Sequence, residues 1–322
     1  MKKALRFVQI SALLLGTAAA LFYMHIREVF NTPVTVSEPK IIEIPHGSSL
    51  PKIAEILRHN GLVRHEFYFI AYAKIHQIFP KIKAGEYLID RPVSLIETAK
   101  LLAEGKLFLR KITFPEGRTI HEYAEILRRN AFLAGDFNMP AEGLFLPETY
   151  TFSKGYERQK IVDQATAAMK KIVDQAWADR DPNLPLNSKS ELLVLASVIE
   201  KETGLSDERK QVSSVFINRL QQGMLLQTDP TVIYALTMGQ TELGRPLLRK
   251  DLEIDSPYNT YKYAGLPPAP ICNPGKEAIM AAAHPDHTPY LYFVASGNGG
   301  HNFARTLAEH NQNVAKWRAL KK

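Results

Sequence analysis

The stretch NSKSELLVLASVIEKETG, residues 187–204, decides how the rest of the chain is read. Residues 192–199 are apolar apart from Ser197. A helix that is apolar on every side belongs in a core. Ser188 and Glu191 have capping-box spacing, and Gly204 is placed to end the helix. The last turn then carries two carboxylates, Glu200 and Glu202, at the negative end of the helix dipole. That end disfavours the ionised form, and so does an apolar surround. A carboxylic acid that keeps its proton near neutral pH is what general acid catalysis needs. The plainer alternative is a solvent-facing pair of glutamates matched to Lys201 or Arg209. Periodicity does not separate Glu200 from Glu202, because each has apolar residues four and seven positions before it.

The segments after this helix extend the plan. SDERKQVSSVFINRLQQG (206–223) reads as a helix capped by Ser206 and stopped by Gly223. MLLQTDPTVIYAL (224–236) starts another, with Asp229 as its cap and Pro230 in its first position. DSPYNTYKYAGLPPAPICNPG (255–275) is a long loop rich in Pro, Asn and Tyr, side chains suited to stacking on and hydrogen bonding to sugars. A short helix at 278–285, a strand at 290–296, a GNGGH turn and a helix from Phe303 to Trp317 close the chain.

Working back towards the N-terminus, an internal repeat comes first. KIIEIPHGSSLPKIAEILRHN (40–60) and RKITFPEGRTIHEYAEILRRN (110–130) share eight of sixteen positions from Pro45 and Pro115 onward. Each copy reads as a strand, a Pro-x-Gly turn, a Ser/Thr cap and an amphipathic helix. In the first copy a second helix at about 65–77 and a strand at 84–89 complete a strand–helix–helix–strand order. The second copy has its counterpart strand in EGLFLPETYTF (142–152). Residues 1–39 read as a start, an anchor and a tether. MKKALR is basic, and residues 7–24 hold no charge. Eighteen helical residues span about 27 Å, close to the hydrocarbon core of a bilayer. Lys2, Lys3 and Arg6 would stay in the cytoplasm and send the remainder outward. The competing reading is a signal peptide cleaved after Ala18-Ala19-Ala20; the apolar run continues past those alanines, which favours the anchor.

Composition narrows the partners. The net charge of +7 suits an anionic partner or a scattered basic surface. An exported chain has little access to nucleic acid. Cys272 is the single cysteine, so neither an internal disulfide nor a Cys-based zinc site forms. His284 and His287 have ligand-like spacing, with His301 and His310 nearby, but no H-E-x-x-H occurs. GNGG (297–300) lacks the strand-to-helix context and the following lysine of a phosphate loop. The expectation is therefore no metal and no cofactor.

Two resemblances add to this. Residues 40–108 resemble a LysM-like βααβ module, a type that in other proteins grips N-acetylated glycans; a docking module without sugar contact is the alternative. LASVIEKET, RKQVSSVFINRL, MLLQTDPTVIYAL, SPYNTY, GLPPAPICNPG, AAAHP, EGLFLPETY and YLYFVASGNGGHNF together resemble the YceG-like family, in order, over roughly residues 40–320. One departure is Ala269, where the family loop commonly reads GLPPGPI. The resemblance implies an α+β protein: a transmembrane helix, the LysM-like module, and a mainly helical catalytic domain with small β elements over 109–322. It also implies an endolytic lytic transglycosylase of peptidoglycan that makes 1,6-anhydro ends, held in the inner membrane with its catalytic part outside the cytoplasm. Peptidoglycan synthases are the implied protein partners. The family's catalytic glutamate maps onto Glu200, leaving Glu202 a structural role. Gln227, Asp229, Tyr258, Asn259, Tyr261, Glu148 and His301 are the expected substrate contacts around it. A non-catalytic glycan-binding scaffold and an exported hydrolase of another class are the alternatives.

Overall fold

The computed structural model describes residues 2–320, with side chains from residue 5. Among them are eleven α-helices and eight short strands, the strands joined only in pairs. The chain divides into two compact units. One runs up to Arg110 and includes Thr151–Lys154; the other is Lys111–Tyr150 with the chain from Gly155 onward.

The first unit opens with α1 (Lys2–Asn31), a continuous helix whose apolar side chains from Leu5 to Met24 are largely exposed. It is long and apolar enough to cross a membrane, and it continues beyond the 7–24 run. Its C-terminal part packs within the unit: His25 Nε2 lies 3.0 Å from Tyr68 Oη, and the Phe30 ring meets Tyr72 edge-on at 5.5 Å. Then come β1 (Lys40–Ile44), α2 (Leu50–His59), α3 (Glu66–Ile75), β2 (Gly85–Ile89) and α4 (Leu95–Glu104). Alternation in β1 turns Ile42 and Ile44 inward, and β1 pairs antiparallel with β2, Ile42 opposite Tyr87. In α2, Leu50, Ile53, Ala54 and Leu57 form the buried stripe, and Ser49 accepts from the Lys52 N–H. The strand–helix–helix–strand order is present. The added helix α4, held by a Ser94–Glu97 capping box, lies outside the expected plan.

The rest of the chain forms β3 (Arg110–Thr113), α5 (Ile120–Arg129), β4 (Leu133–Ala134), β5 (Thr149–Phe152), β6 (Tyr156–Glu157), α6 (Arg158–Ala178), α7 (Lys189–Glu202), α8 (Arg209–Gln221), α9 (Asp229–Thr237), α10 (Lys276–Ala283), β7 (Tyr292–Ala295), β8 (His301–Ala304) and α11 (Leu307–Leu320), all in the second unit except Arg110 of β3 and Thr151 and Phe152 of β5. The second repeat copy forms β3 and α5, with a complete Thr119–Glu122 capping box. Its partner strand covers only Thr149–Phe152 instead of 142–152. Gly143 has a left-handed φ of +85°, and Pro147 has no N–H to give a ladder.

Helix α7 is the core of this unit. Every residue from Leu192 to Ile199 is buried, and α6, α8, α9 and α10 pack around it. Ser197 is tolerated there because its hydroxyl donates to Val194 O at 2.7 Å and accepts from Ile271 N at 3.0 Å. Ser188 caps the start, but Glu191 reaches the Asn187 N–H, so only half of the capping box forms. The helix stops as Thr203 turns extended, without a left-handed residue at Gly204.

Three further boundaries differ from the sequence expectations. A 3₁₀ turn (Ser206–Glu208) precedes α8, and Ser206 caps neither element. Thr228 is the N-cap residue of α9, and Asp229 is its first helical residue. Residues 301–304 join β8, so the last helix starts at Leu307. Helix α6 lies outside the expectations too; its buried Ile161, Val162, Ala165, Met169 and Val173 keep a helical spacing.

Candidate active site

The last turn of α7 sends Glu200 and Glu202 into different surroundings. The Glu200 side chain is 6% exposed. Its Oε2 accepts the Gly275 N–H at 3.0 Å, and its Oε1 lies 3.6 Å from Arg209 Nη2. The same Nη2 is 3.5 Å from Glu116 Oε2. Burial raises the Glu200 carboxyl above the usual range, Glu116 adds to the rise, and the Gly275 N–H, Arg209 and Lys201 oppose it. Lys201 itself turns away and donates to Gly117 O at 3.2 Å. Gly117 is required by its left-handed φ of +72°, since a Cβ there would stand only in ordinary contact with Glu200 Cγ at 3.4 Å.

Glu202 is also held above the usual range, chiefly by burial, with Asp229 adding to the rise. The Thr228 hydroxyl donates to it. It lines a cavity of about 480 Å³ together with Arg219, Gln227, Asp229, Tyr261 and Tyr292. A second cavity of about 720 Å³ lies on the Lys201 side, with Arg118, His121, Glu122 and Tyr234 in its wall.

The expected contact residues therefore divide. Gln227, Asp229 and Tyr261 gather in the cavity at Glu202, not around Glu200. Tyr261 Oη donates to Asp229 Oδ1 at 2.6 Å, and Gln227 Oε1 accepts from Arg219 at 3.3 Å. Gln227 adopts a left-handed φ of +52° as its N–H reaches Thr260 O. His301 Nδ1 lies 2.7 Å from Glu208 Oε2, and its positive form would favour ionised Glu202.

The other three expected contacts do not join them. Asn259 is fully buried: its amide donates to Leu252 O and Ile254 O at 2.9 Å, and its Oδ1 accepts from Tyr261 N. It braces the loop, because loop carbonyls pulled away from water need a donor, and it has no surface for a ligand. Tyr258 packs its ring 4.9 Å from Tyr234 against the core. Glu148 is exposed, and its carbonyl accepts from Phe114 N where β3 and β5 meet.

Several participants lay outside the sequence reading: Glu116, Gly275, Glu142 and Asn273; Arg209 entered it only as a partner for solvent-facing glutamates. One signal was available for Glu116. The repeat turn is Pro-His-Gly at 45–47 but Pro-Glu-Gly at 115–117. Asn273 ties the same turn down. Its carbonyl accepts the Gly117 N–H, and its amide donates to Arg118 O at 3.1 Å and to Glu142 Oε1 at 2.8 Å. His284 and His287 face Asp179 and Asp181, and among the described residues no group of three His, Cys, Asp or Glu side chains is placed to hold a metal ion.

A mixed α/β fold carries a shielded carboxyl group, raised above its usual range by burial, at the end of a core helix. The chain belongs to the YceG-like family, whose model matches residues 42–316. An endolytic murein transglycosylase of Bacillus subtilis (strain 168) is 34% identical over 310 residues, which cover 86% of this chain and 84% of the relative. An endolytic murein transglycosylase of Streptococcus pneumoniae serotype 2 is 30% identical over 336 residues; 88% of this chain matches 60% of that longer protein. A crystal structure of a yceG-like protein from Listeria monocytogenes superposes with a TM-score of 0.52 at 33% identity, covering 86% of this chain and 99% of that one.

Proposed function

We propose that the chain is a membrane-anchored endolytic lytic transglycosylase of peptidoglycan, with Glu200 as its acid and base. The observation that carries this reading is the environment of Glu200: a shielded carboxyl at a helix C-terminus, raised by burial and held at one oxygen by a backbone N–H. Such a group holds its proton to higher pH than an ordinary carboxyl and is oriented to deliver it. It protonates the oxygen linking N-acetylmuramic acid to N-acetylglucosamine, and the bond from that oxygen to the anomeric carbon breaks. The resulting carboxylate takes the proton of the muramyl C6 hydroxyl. O6 then closes onto the anomeric carbon, giving a 1,6-anhydro end and a free 4-hydroxyl without consuming water. The internal nucleophile explains why one carboxylate suffices where hydrolytic glycosidases use two. Gln227, Asp229 and Tyr261 hold sugar in the adjoining cavity.

In the same reading, residues 7–24 anchor the chain in the inner membrane, and residues 40–108 form a LysM-like module that contacts glycan. The catalytic part, 109–322, acts outside the cytoplasm beside the synthases that make new strands, where tethering raises the effective concentration of glycan.

The test is digestion of purified glycan strands by the full chain in detergent, with mass spectrometry of the ends. Anhydro ends are expected. Glu200→Gln should remain folded and cut about 10²–10⁴-fold more slowly, whereas Glu202→Gln stays within about tenfold of the parent rate. Near-normal turnover by folded Glu200→Gln removes the acid assignment. Hydrated reducing ends remove the transglycosylase.

A further inference from the structure

Glu116 and Arg209 stand beside Glu200 with no part in the proton transfer as described, and Gly275 enters it only through its N–H. Glu116 sits in the turn between β3 and α5 with its side chain 42% exposed, while Arg209 is 10% exposed. One nitrogen, Arg209 Nη2, is within 3.6 Å of a carboxyl oxygen of both Glu116 and Glu200. The two acids also share a wall. Gly275 gives its N–H to Glu200, and a Cβ built on Gly275 would fall 1.8 Å from Glu116 Oε1. The φ of Gly275 is an ordinary −73°, so its lack of a side chain serves the space Glu116 occupies, not the backbone. Arg209 Nε is buried with no hydrogen-bond partner among the described residues. The guanidinium is thus poorly neutralised except by the two acids.

We propose that Glu116 is a positioning carboxylate for Glu200: by engaging Arg209 it keeps this cation from capturing Glu200 as a carboxylate, so that Glu200 retains the proton it donates. The proposal rests on the reading of Glu200 as the acid. A cation within about 4–6 Å of a carboxyl group favours its ionised form by about 1–3 pK units. Arg209 therefore works against burial, alongside the larger pull of the Gly275 N–H. Glu116 opposes that effect by neutralising Arg209 and by repelling charge on Glu200 directly. The other charged neighbour is Lys201, whose ammonium is turned to Gly117 O. Tyr123 on α5 and Cys272 before α10 also face this carboxyl, and burial pushes both groups up, so both stay neutral.

The experiment is the pH–rate profile of anhydro-end formation by the full chain, for the parent, Glu116→Gln and Glu116→Asp. The limb that falls with rising pH reports loss of the Glu200 proton. Glu116→Gln should move this limb to lower pH by about one unit, an approximately tenfold loss on that limb with little change on the acid side. Glu116→Asp should restore at least half of the shift. Thermal melting checks folding; if the glutamine variant melts early, Glu116→Ser serves for the same profile. An unmoved limb in a folded variant, or a loss equal at every pH, overturns the proposal and leaves Glu116 a packing element. Glu200→Gln separates the two readings. If it is active, the acid assignment falls and this proposal with it. If it is inactive while the Glu116→Gln limb stays in place, only the role of Glu116 falls.

Discussion

Replacing Glu142 with glutamine isolates one buried titration from the rest of the protein. Glu142 Oε1 accepts the Ile120 N–H at 2.9 Å and the Asn273 amide at 2.8 Å. Burial nevertheless pushes its carboxyl up to about 7, with Glu122 acting in the same direction. In the unfolded chain it returns to the ordinary value of 4.5. Between those values the folded protein holds a proton that the unfolded chain has released. The contribution is therefore fully present below the unfolded value and is lost as pH rises through the folded one. A gap of roughly 2.5 units at about 1.4 kcal/mol per unit makes this loss about 3 kcal/mol. Glutamine keeps the Oε1 acceptor and cannot titrate. In urea unfolding followed by circular dichroism, the stability of Glu142→Gln relative to the parent should rise by about 3 kcal/mol from about pH 4.5 to about pH 8. Glu200 and Glu202, raised by burial, and Asp174 and Asp251, lowered by their lysine and arginine partners, titrate alike in both proteins and cancel in the difference. A difference flat to within about 0.5 kcal/mol across that range refutes a neutral, buried Glu142.

Two further substitutions and one control test the scaffold of the site. Gly275→Ala drives a Cβ into Glu116 Oε1 and should cost about 1–3 kcal/mol with at least about tenfold loss of cleavage; Gly204→Ala, with open space and ordinary φ, should stay within about 0.5 kcal/mol in the same melts. Asn259→Ala removes the donors of Leu252 O and Ile254 O and the acceptor of Tyr261 N. It should cost about 2–4 kcal/mol in urea unfolding and weaken glycan binding by displacing Tyr261; unchanged stability counts against Asn259 as a brace.

Much of this protein was legible because the information was local. Eight successive buried positions in α7 follow from composition alone, and its Ser188 cap lies three residues from the N–H it serves. The repeat could be read as strand, turn, cap and helix because each part is specified within about twenty residues. The 1–39 segment announced an apolar helix by length and charge, though α1 extends beyond the uncharged run because helical hydrogen bonding does not stop where apolarity does. The repeat pointed to a strand over 142–152, but Gly143 and Pro147 confined it to four residues.

The site itself was decided by contacts across long separations. Glu200 and Glu202 both have apolar residues four and seven positions before them, yet they point roughly 200° apart around the helix axis. Periodicity describes the helix and says nothing about what stands against each direction. Folding brings Glu116, Arg209 and Gly275 to Glu200, and Thr228, Asp229 and His301 to Glu202. Asn259 looked like a sugar contact because amides in tyrosine-rich loops suit that role. Only the packed loop shows its donors consumed by carbonyls that have lost water. Sequence thus determined which helix would be buried and which acids would end it. Tertiary structure decided how each acid holds its proton, since burial and neighbouring charge depend on groups far away along the chain, 84 residues between Glu116 and Glu200 and 99 between Glu202 and His301.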